Sequence, residues 1–248
     1  MVEREALLSK RPPRGLAWEP TIWSMVGVLD DRDDPRWQQA WAELSRNYRV
    51  PMETYAHRRL RRAPVAAGAA GDAEDLVQAF LAVCIEKGWL SDADPAQGRF
   101  RAWVQRLLRW FINGWVRYRM REKRRPPDGS HIVPLMADDE NAGLPDAEDD
   151  AADAFDRSWT EVAVEAALQR LRGSSEDRYL VLKDLIATEG AGSPDMPQRL
   201  GKSVEAYRTM KSHARRTFRL LFQEEFRKTV RDPDDFEAEW RALQPYMP

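Results

Sequence analysis

Between Arg99 and Arg125, ten arginines and lysines stand against a single acid, Glu122, and the same stretch holds Trp103, Trp110, Phe111, Trp115 and Tyr118. Cations at that density track phosphates, and aromatic faces set among them stack unpaired bases at about 1–3 kcal/mol per base. Helical spacing predicts an inward row of Trp103, Leu107, Phe111, Trp115 and Tyr118, with Arg106, Arg109, Trp110, Asn113 and Arg117 on the polar side. Arg121 lies one turn further along. Single strands suit such a surface better than duplex. Trp110 reads equally as a base platform or as a half-buried rim residue.

A second basic run has a different build. From Arg199 to Arg231 ten basic residues face Glu205, Glu224 and Glu225. Ser203 is placed to cap a long helix, with Val204, Tyr207 and Met210 inward and Glu205, Arg208, Thr209, Lys211, Ser212, Arg215 and Arg216 outward. Short helix, Gly201 turn, Ser203 cap and long basic helix is the helix-turn-helix order, and its outer face fits a major groove. Arg bonds guanine in two places, Ser and Thr reach bases or phosphates, and Lys supplies charge. An ordinary helical hairpin with a solvated basic face is the other reading of this segment.

Other chemistries find little support. His57, His131 and His213 sit in separate segments without partners at metal or triad spacing. The run Asp146, Glu148, Asp150, Asp153 has Ala151 where a calcium loop needs its sharp-turn Gly, and Arg157 where it needs its last Glu. Cys84 is alone on an apolar stripe, and there is no phosphate-cradling glycine loop. No catalytic residue, metal or cofactor is expected, and the chain reads as no enzyme. With no apolar run near 18 residues and no export-signal core in Met1–Leu16, it is expected to be cytoplasmic and without membrane contact.

Charge is segregated although the formal net charge is only −2. The two basic modules flank residues 126–158, where ten Asp or Glu face only Arg157 and Pro126, Pro127, Gly129, Pro134, Gly143 and Pro145 interrupt any period. That stretch reads as a flexible acidic linker, whose plainest role is solubility. All sustained periodicity is helical, so the fold class is all-α, two helical domains on the acidic linker with a C-terminal helix-turn-helix. The divisions are an N-terminal extension over 1–34 with a short helix near Thr21–Leu29, a first domain over 35–125, the linker, a second domain over 159–231, and a C-terminal extension over 232–248. Expected helices include one from Trp37 that Pro51 interrupts or restarts, one capped by Asp72 and stopped by Gly88, Arg99–Lys123, Trp159–Leu171, Glu176–Thr188, Pro194–Leu200, Ser203–Val230 and Pro233–Leu243.

The order of parts resembles the bacterial sigma factors of the extracytoplasmic-function group, minimal two-domain factors that direct RNA polymerase to promoters. Three strings carry the resemblance: Asp72-Ala73-Glu74-Asp75-Leu76-Val77-Gln78, Phe100-Arg101-Ala102-Trp103 and Leu200-Gly201-Lys202-Ser203-Val204. It covers about Pro35 to Arg125 and Trp159 to Lys228. It implies a first domain that docks on the clamp helices of the polymerase beta-prime subunit, with Asp75 and Gln78 at contacting positions. It also implies capture of the single-stranded minus-ten element by Arg106, Arg109, Trp110, Asn113, Arg117 and Arg121. The minus-thirty-five duplex would be read by Ser203, Arg208, Thr209, Lys211, Ser212 and Arg215. The acidic linker would run through the RNA exit path, and an anti-sigma factor is a further partner the resemblance allows. Trp110 stands where the family often has a small polar residue, Glu205 where it often has Gly, and Ala79 where an acid is common.

The leading expectation is therefore a promoter-specificity subunit acting through core RNA polymerase on promoter DNA, duplex and single-stranded. The alternative is an autonomous helix-turn-helix regulator. A metal-dependent nucleic-acid enzyme using the acidic run ranks last.

Overall fold

The computed structural model describes residues 22–61, 72–94, 96, 98–122, 148–230 and 233–246, and all regular structure among them is helical. The elements are α1 (Ile22–Val26), α2 (Trp37–Leu60), α3 (Asp72–Lys87), α4 (Phe100–Glu122), α5 (Glu148–Ser174), α6 (Glu176–Ala187), α7 (Met196–Arg199), α8 (Val204–Arg227) and α9 (Pro233–Leu243). A 3-10 turn, Gln244–Tyr246, follows.

Helix α2 buries Trp41, Leu44, Tyr48, Met52 and Tyr55, a stripe at helical spacing. The Trp37 indole donates to the Leu29 carbonyl at 3.0 Å and so joins the end of the first segment to α2. Pro51 was expected to interrupt this helix and does not: it is buried inside one continuous α2. A proline ring costs one backbone hydrogen bond there, and the stripe that continues on both sides of it keeps the helix on its packing surface. Helix α3 buries Ala73, Leu76, Val77, Phe80 and Cys84. Asp72, the expected cap, is the first helical residue. Gly88 ends the helix as expected. Its φ is +71°, and a Cβ there would lie 2.7 Å from Asp30 Oδ1.

The largest departure concerns the acidic segment. Residues 126–147 lie outside the described residues, but 148–158 are not a tether, because α5 starts at Glu148 rather than Trp159. Ala151, Phe155 and Trp159 recur every four residues and are all buried. The Phe155 ring packs 6.5 Å from Tyr48 and 6.3 Å from Tyr55 on α2. A helical stripe with an aromatic surface waiting for it outweighs the acidic composition around it.

Two apolar clusters result. The larger gathers α1 to α4, α5 as far as Ala167, and Phe222, Phe226 and Leu243 from the end of the chain. The smaller holds Leu168, Leu171, Tyr179, Val181, Leu182, Leu185, Met196, Tyr207 and Ala214. Both α5 and α8 run through the two clusters, so the division between them does not fall at the expected boundary of 158 and 159. The extensions are part of this packing. The Ile22 amide donates to the Lys228 carbonyl at 2.5 Å, the Trp23 ring meets Phe100 edge-on at 5.8 Å, and Trp240 of α9 lies 5.1 Å from Phe226.

Candidate nucleic-acid interface

Helix α4 is rotated by about one residue from the sequence expectation. Its buried row is Phe100, Val104, Leu108, Ile112 and Val116, while Trp103, Leu107, Phe111 and Trp115 are only partly buried beside it. Both rows are apolar at four-residue spacing; the core accepts the narrower, mostly aliphatic one and leaves the bulky rings on the margin. The rotation carries Asn113 out of the polar face. It is 8% exposed, and its side-chain oxygen accepts from Arg59 Nη2 at 3.1 Å. Asn113 is a buried polar contact between α2 and α4, which corrects its expected outward role.

Trp110 keeps a half-buried place at the margin, its ring 5.3 Å from that of Trp89 and tilted by 59°. Trp103 donates through its indole to the Trp89 carbonyl at 3.1 Å, and the exposed Arg106 guanidinium sits 5.0 Å over the Trp103 ring. Three indoles and a cation thus share one edge of α4. Arg109 and Arg117 are partly buried nearby in the chain, and the Arg121 side chain lies outside the described residues. Such an edge offers ring faces and guanidinium donors together, which is the chemistry of single-strand binding. Sequence reasoning missed Trp89, which lies in the loop before α4 and has no periodicity to mark it. It also missed Arg101. That residue is buried against Glu239 at 2.9 Å and over the Trp159 ring at 4.9 Å, and so is withdrawn from the cationic face.

The second candidate surface follows the expectation more closely. Ser203 caps α8 as expected, its hydroxyl accepting from the Ala206 amide at 3.2 Å. Gly201, at φ +62°, makes the turn from α7. Ser203, Glu205, Arg208, Thr209, Ser212, Arg215 and Arg216 are exposed, and Tyr207 and Ala214 are buried beneath them. Lys211 is half-buried, with its ammonium 5.2 Å over the Tyr207 ring. Val204 was expected to pack inward and instead stands 52% exposed in the first turn.

Helix α8 packs on the preceding helices through Tyr207 and Ala214 of the smaller cluster, beside a hydrogen-bonded turn that follows α6. Asp184 accepts from the Ser193 amide at 2.7 Å and from the Ser193 hydroxyl, and Thr188 Oγ1 accepts from the Gly192 amide at 2.8 Å. Burial opposes ionisation of Asp184, yet the two Ser193 donors hold its carboxyl below the usual range. Arg215 donates to the Gly190 carbonyl at 3.0 Å, tying the outer face of α8 to the same turn. Gly192, at φ +79°, would bring a Cβ within 2.8 Å of the Tyr207 hydroxyl. Gly192→Ala is expected to lower stability by about 1–3 kcal/mol. Thermal melting of the variant, read against Gly173→Ala, where a Cβ meets open space, checks this.

Comparison with protein-family models, with curated proteins and with solved structures finds no match for this chain. On α3, Asp75 and Gln78 are exposed on the side opposite the buried stripe, and so is Ala79. No group of three or more His, Cys, Asp or Glu placed to hold a metal ion occurs among the described residues. Burial pushes the Cys84 thiol up, away from the reactive thiolate. No helix among the described residues is long and apolar enough to cross a membrane.

Proposed function

We propose that this protein is a promoter-specificity subunit of bacterial RNA polymerase, a sigma factor of the extracytoplasmic-function kind, without catalytic activity of its own. The observation that carries the reading is one chain with two unlike cationic surfaces. One is the indole and arginine edge of α4, suited to unpaired bases. The other is the capped, polar outer face of α8, which follows the Gly201 turn in helix-turn-helix order and suits a duplex major groove. A protein that reads duplex at one element and melted strand at another needs both. The exposed Asp75 and Gln78 on α3 are the proposed contacts to the polymerase clamp helices, and Arg208, Thr209, Lys211, Ser212 and Arg215 the proposed minus-thirty-five readers. Arg106, Arg109, Trp110, Arg117 and Arg121 remain the proposed minus-ten set, without Asn113.

Co-elution with core RNA polymerase tests the reading directly. The intact chain is expected to bind stoichiometrically, and Asp75→Arg with Gln78→Ala to weaken binding at least tenfold, because a reversed charge at an interface costs several kcal/mol. Failure of the intact chain to bind its cognate core polymerase would reject the proposal.

The shared apolar packing through α5 and α8 favours one second reading, an autonomous DNA-binding regulator that works as a single body. It requires tight, sequence-specific duplex binding without polymerase, with half-sites about 34 Å apart if the protein is dimeric.

A further inference from the structure

The C-terminal helix α9 makes contacts that differ from the rest of the core. Its sequence carries Asp234, Asp235, Glu237 and Glu239 against the single cation Arg241, opposite in sign to α4. Glu239 reaches both arginines at the start of α4, with Oε2 3.0 Å from Arg99 Nε and Oε1 2.9 Å from Arg101 Nη2. The side chains of Arg101 and Glu239 are each 3% exposed. Tyr246 adds a 2.6 Å hydrogen bond to Asp153 on α5.

We infer that α9 is an intramolecular latch, in which the Glu239 carboxylate occupies on Arg99 and Arg101 an anion site that a nucleic-acid phosphate takes when α9 leaves. The inference rests on reading α4 as a nucleic-acid surface. Three features support it. A carboxylate bridging two guanidiniums has the charge and acceptor geometry of a phosphodiester. The occupant fits incompletely, because Nε and Nη1 of the buried Arg101 have no hydrogen-bond acceptor among the described residues. Asp156, the other acid facing this guanidinium, stands 4.0 Å from Nε. Unfilled buried donors are costly, and a phosphodiester, whose two non-bridging oxygens are joined by two ester oxygens in a tetrahedral arrangement, offers acceptors in more directions than a planar carboxylate does. Finally, a buried ion pair roughly breaks even against its desolvation, so Glu239 adds a specific seat on Arg99 and Arg101 to the packing of Trp240 and the buried Leu243 that holds α9.

By linkage, whatever displaces α9 must bind more tightly once α9 is loosened, and the same ligand must loosen α9. The probe is a fluorescein-labelled 20-nucleotide single strand of mixed sequence, without polymerase. Glu239→Gln keeps the side-chain shape and removes the charge, and Glu161→Gln, an exposed site on α5, makes the same change of net charge elsewhere. Glu239→Gln is expected to bind the strand about tenfold more tightly than Glu161→Gln, within the usual range of coupling between sites. Added to the unaltered protein, the strand is expected to speed deuterium exchange in residues 233–246. Equal affinity of the two variants, or unchanged exchange in 233–246 at saturating strand, overturns the latch. If Glu239→Gln does not fold, the exchange measurement on the unaltered protein decides alone. A strand that fails to bind every form also overturns it. Binding to core polymerase without any exchange response keeps the proposed function and removes the latch; an exchange response without polymerase binding does the reverse.

Discussion

Phe155→Ala is expected to destabilise the protein by about 3–5 kcal/mol, a fall in melting temperature of about 10 °C for a chain of this size. Phe155 is fully buried, and its ring lies between those of Tyr48 and Tyr55 at 6.5 and 6.3 Å. Removing it leaves a cavity lined by two large aromatics on a helix whose other core residues cannot move in to fill it. The neighbouring Arg157 is exposed, and Arg157→Ala is expected to change stability by less than about 0.5 kcal/mol. The pair measures whether 148–158 is structural. A flexible acidic linker would leave both variants at the melting temperature of the unaltered protein, and that result would remove α5 before Trp159.

Trp110→Ala is expected to weaken capture of an unpaired strand about ten- to a hundredfold, the equivalent of stacking one base on an aromatic ring. The Trp110 ring leans on Trp89 at 5.3 Å and stays half-buried, so part of its surface is open while its orientation is held. Trp110→Phe keeps a ring on Trp89 and is expected to retain most of the binding, which separates stacking from damage to the fold. On a promoter bound through the polymerase complex, Trp110→Ala should slow opening and leave the initial duplex complex unchanged. Normal opening by a folded Trp110→Ala variant would return Trp110 to a packing role.

The effects also bear on how acidic and basic segments meet. Composition alone sets α4 as a solvated cationic helix and 126–158 as a soluble tether. In the folded chain, acids of α5 and α9 lie against the first turns of α4: Gln105 donates to Asp156 at 3.1 Å, and Glu239 seats on Arg99 and Arg101. Part of the basic face is thereby neutralised from within. The open edge keeps the partly buried indoles with the exposed Arg106 and Arg119.

Features that depend on neighbours in the chain were legible from the amino acids. The all-helical class, the α3 stripe ending at Gly88, the Ser203 cap, the Gly201 turn and the span Pro233–Leu243 all follow from capping groups, glycine conformation and periodicity within a few residues. Most of the outward row of α8 followed as well, with Lys211 half-buried over Tyr207 and Val204 exposed as the exceptions. What required the tertiary structure was every choice between two locally acceptable answers. Helix α4 had two apolar rows, and packing selected the row of Phe100, Val104, Leu108, Ile112 and Val116, burying Asn113 against Arg59. Pro51 could break α2 or be carried through it, and the buried stripe on either side decided. The acidic stretch after 147 became helix because Tyr48 and Tyr55, a hundred residues earlier, cover Phe155. Glu239 met Arg101 across more than half the length of the chain. Local rules act over one or two turns, whereas burial energy depends on surfaces brought together from anywhere in the sequence, and only the folded chain supplies those partners.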